Sequence, residues 1–357
     1  MKKRFLVAAI AATLISPLAA QADATVYGNA HLSIDSESYK DKAKDKAANL
    51  EMNSNTSAVG VKGKEDLGGG MSAIFKVEFQ VDPSERNQSI TDRDQWVGLK
   101  GAMGSVKFGT MSNNYKQMGG KIDPMYRTRL EGRGFMDTQS SLHSGAGENG
   151  GRSTNTLQYT SPKMGGMKVV FNYTFAGEDE ETMGLGIHYK TKTVIAYVDY
   201  LDVQKQAVSA VTAIPFTPDD PATPAIDERV EAVAGTSASP AASEAAFKIG
   251  GSFKAGAMTF GLQFESIEDV NKVKNVSPAT ATASGGDTIF ASFNYKVGDN
   301  DNIAFTYGDN DTDEAGYALM YNHKMSKRTN VYAGYGDNAS MKADDRQDIT
   351  FGIRHKF

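Results

Sequence analysis

Met71-Ser72-Ala73-Ile74-Phe75-Lys76-Val77-Glu78-Phe79-Gln80-Val81 alternates in single steps. Met71, Ala73, Phe75, Val77, Phe79 and Val81 fall on one face of an extended chain, and Ser72, Lys76, Glu78 and Gln80 on the other. Ile74 alone breaks the pattern. A β-strand sends successive side chains to opposite sides, so this period of two predicts a strand with one greasy and one wet face.

The same pattern recurs to the end of the chain. Met167, Val169, Phe171, Tyr173 and Phe175 oppose Lys168, Asn172 and Thr174. Met258, Phe260, Leu262 and Phe264 oppose Thr259, Gly261, Gln263 and Glu265, and Ile289, Ala291, Phe293 and Tyr295 oppose Ser292, Asn294 and Lys296. The last run sets Ile349, Phe351, Ile353 and Phe357 against Thr350, Arg354 and Lys356. No window of similar length keeps a helical period.

The connections are uneven. Short Gly-, Asp-, Asn- or Lys-rich turns fall near 67–70, 101–104, 163–166, 190–192, 254–256, 298–301 and 325–327, with longer polar segments between them. Strands are expected at 24–38, 56–66, 70–82, 92–101, 104–111, 153–161, 166–177, 182–190, 193–203, 245–255, 258–268, 286–297, 301–309, 314–324, 328–337 and 347–357. An even number of strands of about 9–11 residues, with short turns on one side and long loops on the other, is what a bilayer imposes. Backbone groups in hydrocarbon must pair within the protein, so an antiparallel sheet closes on itself. The fold class expected is all-β, a 16-stranded antiparallel transmembrane β-barrel whose wet face lines a water-filled bore.

Composition fits this reading. Lys2, Lys3 and Arg4 precede an apolar run from Phe5 to Leu18, and Ala20-Gln21-Ala22 supplies a small-residue cleavage site. Residues 1–22 are therefore expected to be a cleaved secretory signal and 23–357 the barrel domain. Removing them takes three positive charges from a net −5, leaving 335 residues at −8. Such a balance argues against a nucleic-acid partner. The chain has no cysteine, which excludes disulfides and thiolate metal sites.

Several motifs resemble one family. Glu65-Asp66-Leu67-Gly68-Gly69-Gly70-Met71-Ser72-Ala73 resembles the first-hairpin turn of Gram-negative trimeric porins of the neisserial and comamonad type. Val97-Gly98-Leu99-Lys100-Gly101 with Gly104-Ser105-Val106-Lys107-Phe108-Gly109 is similar to its second hairpin, and Leu157-Gln158-Tyr159-Thr160-Ser161-Pro162 to a later strand end. Val26-Tyr27-Gly28 and Gly352-Ile353-Arg354-His355-Lys356-Phe357 resemble its two termini. Two departures stand out: Thr110 where the family usually has an arginine, and a long Ala-, Pro- and Thr-rich stretch between Leu201 and Phe247.

The resemblance implies an outer-membrane homotrimer in contact with lipid and lipopolysaccharide, inserted by the outer-membrane assembly machinery. It implies passive diffusion of small hydrophilic solutes and ions. It also implies that the third long loop, 112–152, folds inward and constricts the pore. That loop carries Arg127, Arg129 and Arg133 interleaved with Asp123, Glu131 and Asp137. Opposed charges at a constriction would set a transverse field. On the wet parity of the early strands stand Lys62, Lys76, Lys100 and Lys107, a basic ladder that suggests a mild anion preference. Phe357, closing an alternating run, resembles the signal read by the assembly machinery. A channel biased toward dicarboxylates or sugars is an alternative, and an adhesin or enzyme on a barrel scaffold is another.

Nothing in the sequence points to catalysis, a metal or a cofactor. His31, His143, His188, His323 and His355 are scattered, without a zinc pair or a Gly-x-Ser-x-Gly elbow. The acidic stretches 299–301 and 309–314 could hold calcium, but they lack the full spacing of an EF-hand and read better as turns or loops.

Overall fold

Residues of alternating character pair edge to edge until no edge is left. The computed structural model describes residues 22–39, 50–86, 90–136, 152–175, 180–205, 242–269, 286–310, 315–338 and 346–357. The signal segment up to residue 21, Asp137, His143, residues 311–314 and most of the 202–246 stretch lie outside these.

The strands are β1 (Ala22–Tyr39), β2 (Leu50–Ser54), β3 (Ala58–Gly68), β4 (Met71–Gln80), β5 (Thr91–Gly101), β6 (Gly104–Ser112), β7 (Arg152–Thr160), β8 (Met167–Thr174) and β9 (Glu180–Lys190). There follow β10 (Val194–Lys205), β11 (Ala242–Ala255), β12 (Met258–Asp269), β13 (Gly286–Val297), β14 (Asp301–Asn310), β15 (Gly316–Lys324), β16 (Thr329–Asn338) and β17 (Arg346–Lys356). Two helical turns, α1 (Asn114–Gly119) and α2 (Gly132–Phe135), lie between β6 and β7.

Every neighbouring pair is antiparallel, and β1 pairs with β17 on one side and with β2 and β3 on the other. β2 and β3 are two segments of one stave. Thr56, at a φ of 60°, interrupts it, and the Ser57 hydroxyl accepts the His31 N–H at 2.9 Å across the gap. Seventeen segments thus make a closed antiparallel barrel of sixteen staves, as the alternation requires. The second stave reaches back to Leu50 rather than starting at 56, because the sequence around Thr56 carries no extended signal. The seam is completed by Phe357, which exchanges two backbone hydrogen bonds of 3.1 Å with Gly28. The Phe357 ring lies where a side chain at residue 28 would stand, so glycine is needed there.

The apolar face is the outer one. Val26, Val97, Leu262 and Phe351 are each more than half exposed, at 65, 58, 60 and 59 %. In water such a surface would not persist; against hydrocarbon it is the stable arrangement. The polar face lines the bore.

Candidate functional site

Lys62, Lys76, Lys100 and Lys107 all stand on the polar face. Lys62 lies opposite Lys76, Lys100 opposite Ser72, and Lys107 opposite Gly98. Lys62 Nζ sits 4.9 Å above the Tyr27 ring, and Lys107 Nζ 4.5 Å above the Trp96 ring. Lys76 is instead tied to carboxylates, 2.7 Å from Asp94 and 3.0 Å from Glu78. Its charge is thereby offset, while Lys62 and Lys107 face aromatic surfaces.

That carboxylate cluster depends on a register shift. Between Val77 and Phe79 the pairing of β4 with β5 slips, and Arg93 and Asp94, adjacent in sequence, both bond on the polar side. Arg93 Nε donates to Glu78 at 2.6 Å, Tyr27 donates to Glu78 at 2.7 Å, and Arg152 Nε donates to Asp94 at 2.7 Å. Sequence reading missed Arg93, Arg152, Glu78 and Asp94 as a group. A bulge re-aims a side chain without a fixed signature, and Arg152 reads as the end of a loop although it begins β7.

The segment from Asn113 to Met136 packs against the same polar face. Asn113 caps α1 by accepting the Lys116 N–H at 2.9 Å. The Asn114 side chain donates to Asp199 at 2.9 Å and its backbone N–H donates to Asn172 Oδ1 at 2.8 Å; Asp199 also binds His188 at 2.8 Å. Gly184 and Gly186 leave the space these groups occupy. Farther along, Met118, Ile122, Met125, Leu130, Phe135 and Met136 are buried against Tyr197, Phe290, Ala304, Ala318, Met320 and Tyr332. Ser292 donates to the Ile122 carbonyl at 2.6 Å, and Asn338 to that of Phe135. A signal for this docking was present: small or apolar residues at Ala304, Ala318, Gly334 and Gly336 stand on the parity that is otherwise wet, and Leu130 and Phe135 fill the room above the two glycines.

The charged residues of the segment divide. Arg129 reaches the barrel wall, donating to Asp348 at 2.7 Å and pairing with Glu37. Arg133 pairs within the segment, 2.9 Å from Glu131, whose other oxygen accepts the Arg127 N–H at 2.8 Å. Asp123 is buried among the segment's own backbone, accepting from Met125 at 2.8 Å and Gly132 at 3.0 Å. Burial lifts its carboxyl to about 7, with the Glu131 charge adding to the shift. Burial, followed by the Arg152, Arg133 and Arg93 charges, pushes the Lys116 ammonium down to about 6.

Between segment and wall lies a cavity of about 560 Å³. Among the described residues Lys116, Lys121, Arg127, Arg152, Lys163, Lys168 and Lys190 line it, with Ser112, Gln117, Ser161 and His188 and no carboxylate. Among the described residues no group of His, Asp and Glu is placed to hold a metal ion.

A family model for the Gram-negative porin matches residues 7–342. The chain belongs to the Gram-negative porin family. It is 25 % identical over 203 residues to major outer membrane protein P.IB of Neisseria gonorrhoeae, covering 55 % of this chain and 56 % of that one. It is 30 % identical over 188 residues to outer membrane porin protein 32 of Delftia acidovorans, covering 52 % of each. The chain thus spans about half the length of the curated relatives it matches. The anion-selective porin from Comamonas acidovorans shares the fold, with a TM-score of 0.66 at 20 % identity over 94 % of this chain and all of that one. OmpT of Vibrio cholerae does too, at 0.65 and 15 % identity over 94 % of this chain and 98 % of that one. This porin is therefore an integral β-barrel of the outer membrane.

Proposed function

We propose that this porin is a passive diffusion channel with a mild preference for anions, narrowed by the 112–152 segment. The observation that carries the reading is the cavity between segment and wall, lined among the described residues by seven basic side chains and no acid; Lys116 is pushed down and Arg152 is tied to Asp94, so Lys121, Arg127, Lys163, Lys168 and Lys190 carry the field. A small anion gains from that field and a cation is repelled, at separations shorter than the roughly 8 Å over which physiological salt screens charge. Lys62, Lys100 and Lys107 extend the field along the wall. Arg127, Arg129, Arg133 and Glu131 belong to the constriction; Asp123 acts by shaping the segment. Residues 1–22 serve as the export signal and Phe357 as the assembly signal, which its place at the barrel seam supports.

The reading is tested in planar bilayers. A KCl gradient should give a reversal potential of the sign for chloride over potassium, and Lys62→Gln with Lys107→Gln should move it toward zero. A cation-selective channel would overturn the preference, and folded oligomers without conductance would overturn the channel.

An asymmetry of the outer surface supports assembly into a homotrimer. Among the described residues the exposed tyrosines are Tyr189, Tyr200, Tyr295, Tyr307, Tyr317 and Tyr321, all on β9 to β15. Among the described residues β17, β1 and β3 to β6 expose none. Tyrosine marks the membrane–water interface, so a face without it suits protein. At the border of that side, with Tyr321 on its rim, runs an apolar groove of about 510 Å³ between Leu32, Ile34, Met52, Val331, Phe351 and Ile353. With no native thiol, Ile34→Cys should cross-link copies through a bis-maleimide and Leu319→Cys should not; the reverse result refutes this face.

A further inference from the structure

Two guanidinium groups stand together toward the short-turn end of the bore. Arg354 of β17 lies opposite His31 in the β1–β17 register, and the Arg127 charge bears on both. Among the described residues neither arginine forms an ion pair, although Arg129 and Arg133 beside Arg127 both do. The Nε of Arg354 is buried without a hydrogen-bond partner. Arg127 also holds a φ of 69°, a left-handed conformation unfavourable for any residue but glycine, with its N–H fixed to Glu131. Like charges held together without a counter-ion favour entry of an anion between them.

A row of amides begins beside this pair. Arg354 lies opposite Asn330 in register. Asn330 donates to Asn322 at 2.6 Å, Asn322 to Asn302 at 3.0 Å, and Asn302 to Asn294 at 2.8 Å. The four are half-buried on the polar face of β16, β15, β14 and β13. An amide has two N–H donors and two acceptor lone pairs. Residues in the middle of the row spend one of each on neighbours and keep one of each for the bore. The row is thus uncharged, pre-oriented and both donating and accepting. An alkyl chain gains nothing there, whereas successive hydroxyl groups, each donor and acceptor, match it.

We propose that Arg127, Arg354 and the row Asn294, Asn302, Asn322 and Asn330 form one binding site for a polyhydroxylated carboxylate of the sugar-acid class. The carboxylate lies between the guanidinium groups and the hydroxyls lie along the amides. This deepens the anion-preferring channel proposed above and rests on it.

The test uses the full-length channel in planar bilayers, with gluconate as the probe and hexanoate as an anion of equal charge and chain length without the hydroxyls. Gluconate should inhibit the chloride current saturably, at a concentration about fivefold below that needed with hexanoate, the factor supplied by one net hydrogen bond. Asn302→Ala with Asn322→Ala should abolish that difference and leave the KCl reversal potential unchanged. Arg354→Gln should weaken both anions. An anion-selective channel that treats gluconate and hexanoate alike, or an Asn302→Ala/Asn322→Ala variant that still prefers gluconate, overturns the site alone. A channel without anion preference in KCl removes the reading beneath it.

Discussion

Arg129 Nε donates to Asp348 Oδ2 at 2.7 Å, joining the segment between β6 and β7 to β17 across 219 positions of sequence. The Asp348 carboxylate is fully buried, while Arg129 is 29 % exposed and also pairs with Glu37. Removing the guanidinium leaves a buried carboxylate that, among the described residues, only Arg346, 3.2 Å away, pairs with. Breaking a buried pair costs about 3–5 kcal/mol; the remaining partner and the exposure of Arg129 reduce this to about 1–3 kcal/mol. Arg129→Gln should therefore lower the Tm, raise single-channel conductance and add open-channel noise, and Arg129→Lys should recover part of each. Wild-type conductance and Tm in Arg129→Gln would show that this bond does not anchor the segment.

The same segment should respond to pH through Asp123. Its carboxyl, near 3.8 when unfolded, stands at about 7 in the fold because burial penalises the charge. An acid shifted upward contributes stability that is fully present below its unfolded value and is lost as pH rises through the folded one. The segment should thus be held most firmly in acid and lose on the order of 2–4 kcal/mol between pH 4 and pH 8. Thermal unfolding of wild type and Asp123→Asn across this range measures it. Asparagine cannot accept from both Met125 and Gly132, so its Tm is offset at every pH, but its slope should be shallower. Parallel curves for the two proteins would rule out Asp123 as the titrating group.

Much of this was legible in single-step alternation, because a barrel in lipid punishes any slip of one residue. The parity of Met71 to Phe79 places Lys76 on the wet face, and Lys62, Lys100 and Lys107 follow from the same rule. What escaped was whatever departs from a uniform pleat. The slip after Val77 puts Arg93 and Asp94 to use on one side, and Thr56 splits a stave that the pattern reads as starting there. The docking of the segment was legible only in retrospect, in Ala304, Ala318, Gly334 and Gly336, whose small size matters only once Leu130 and Phe135 occupy the space.

Trp96 is the single tryptophan of the chain, half-buried on the polar face beneath Lys107. Its fluorescence reports the ions that reach this wall. Iodide should quench it more efficiently than caesium at equal concentration, since Lys107 and its neighbours enrich anions locally. Lys107→Gln should lower that ratio and alter the emission maximum, because an ammonium over the indole face is lost. The preference should shrink as ionic strength rises and the field is screened. Equal quenching by both ions at low salt would mean that the basic ladder exerts no field on the bore.

The outward face of β12 allows the barrel orientation itself to be tested. Leu262 is 60 % exposed, opposite Gly251 and Ala291, while Thr259, three residues earlier, lies opposite Lys254 and Asn294 on the polar parity. An arginine facing hydrocarbon costs about 2–4 kcal/mol near the midplane and little at the interface or in the lumen. Leu262→Arg should therefore lower the urea midpoint for folding into phospholipid vesicles, whereas Thr259→Arg should fold like wild type with altered ion selectivity. The comparison holds size and charge of the new side chain constant; it changes the side of the sheet it faces and moves it about 10 Å toward the short turn. Were Thr259→Arg the variant that failed to insert, the two faces would have to be exchanged, and the bore with them.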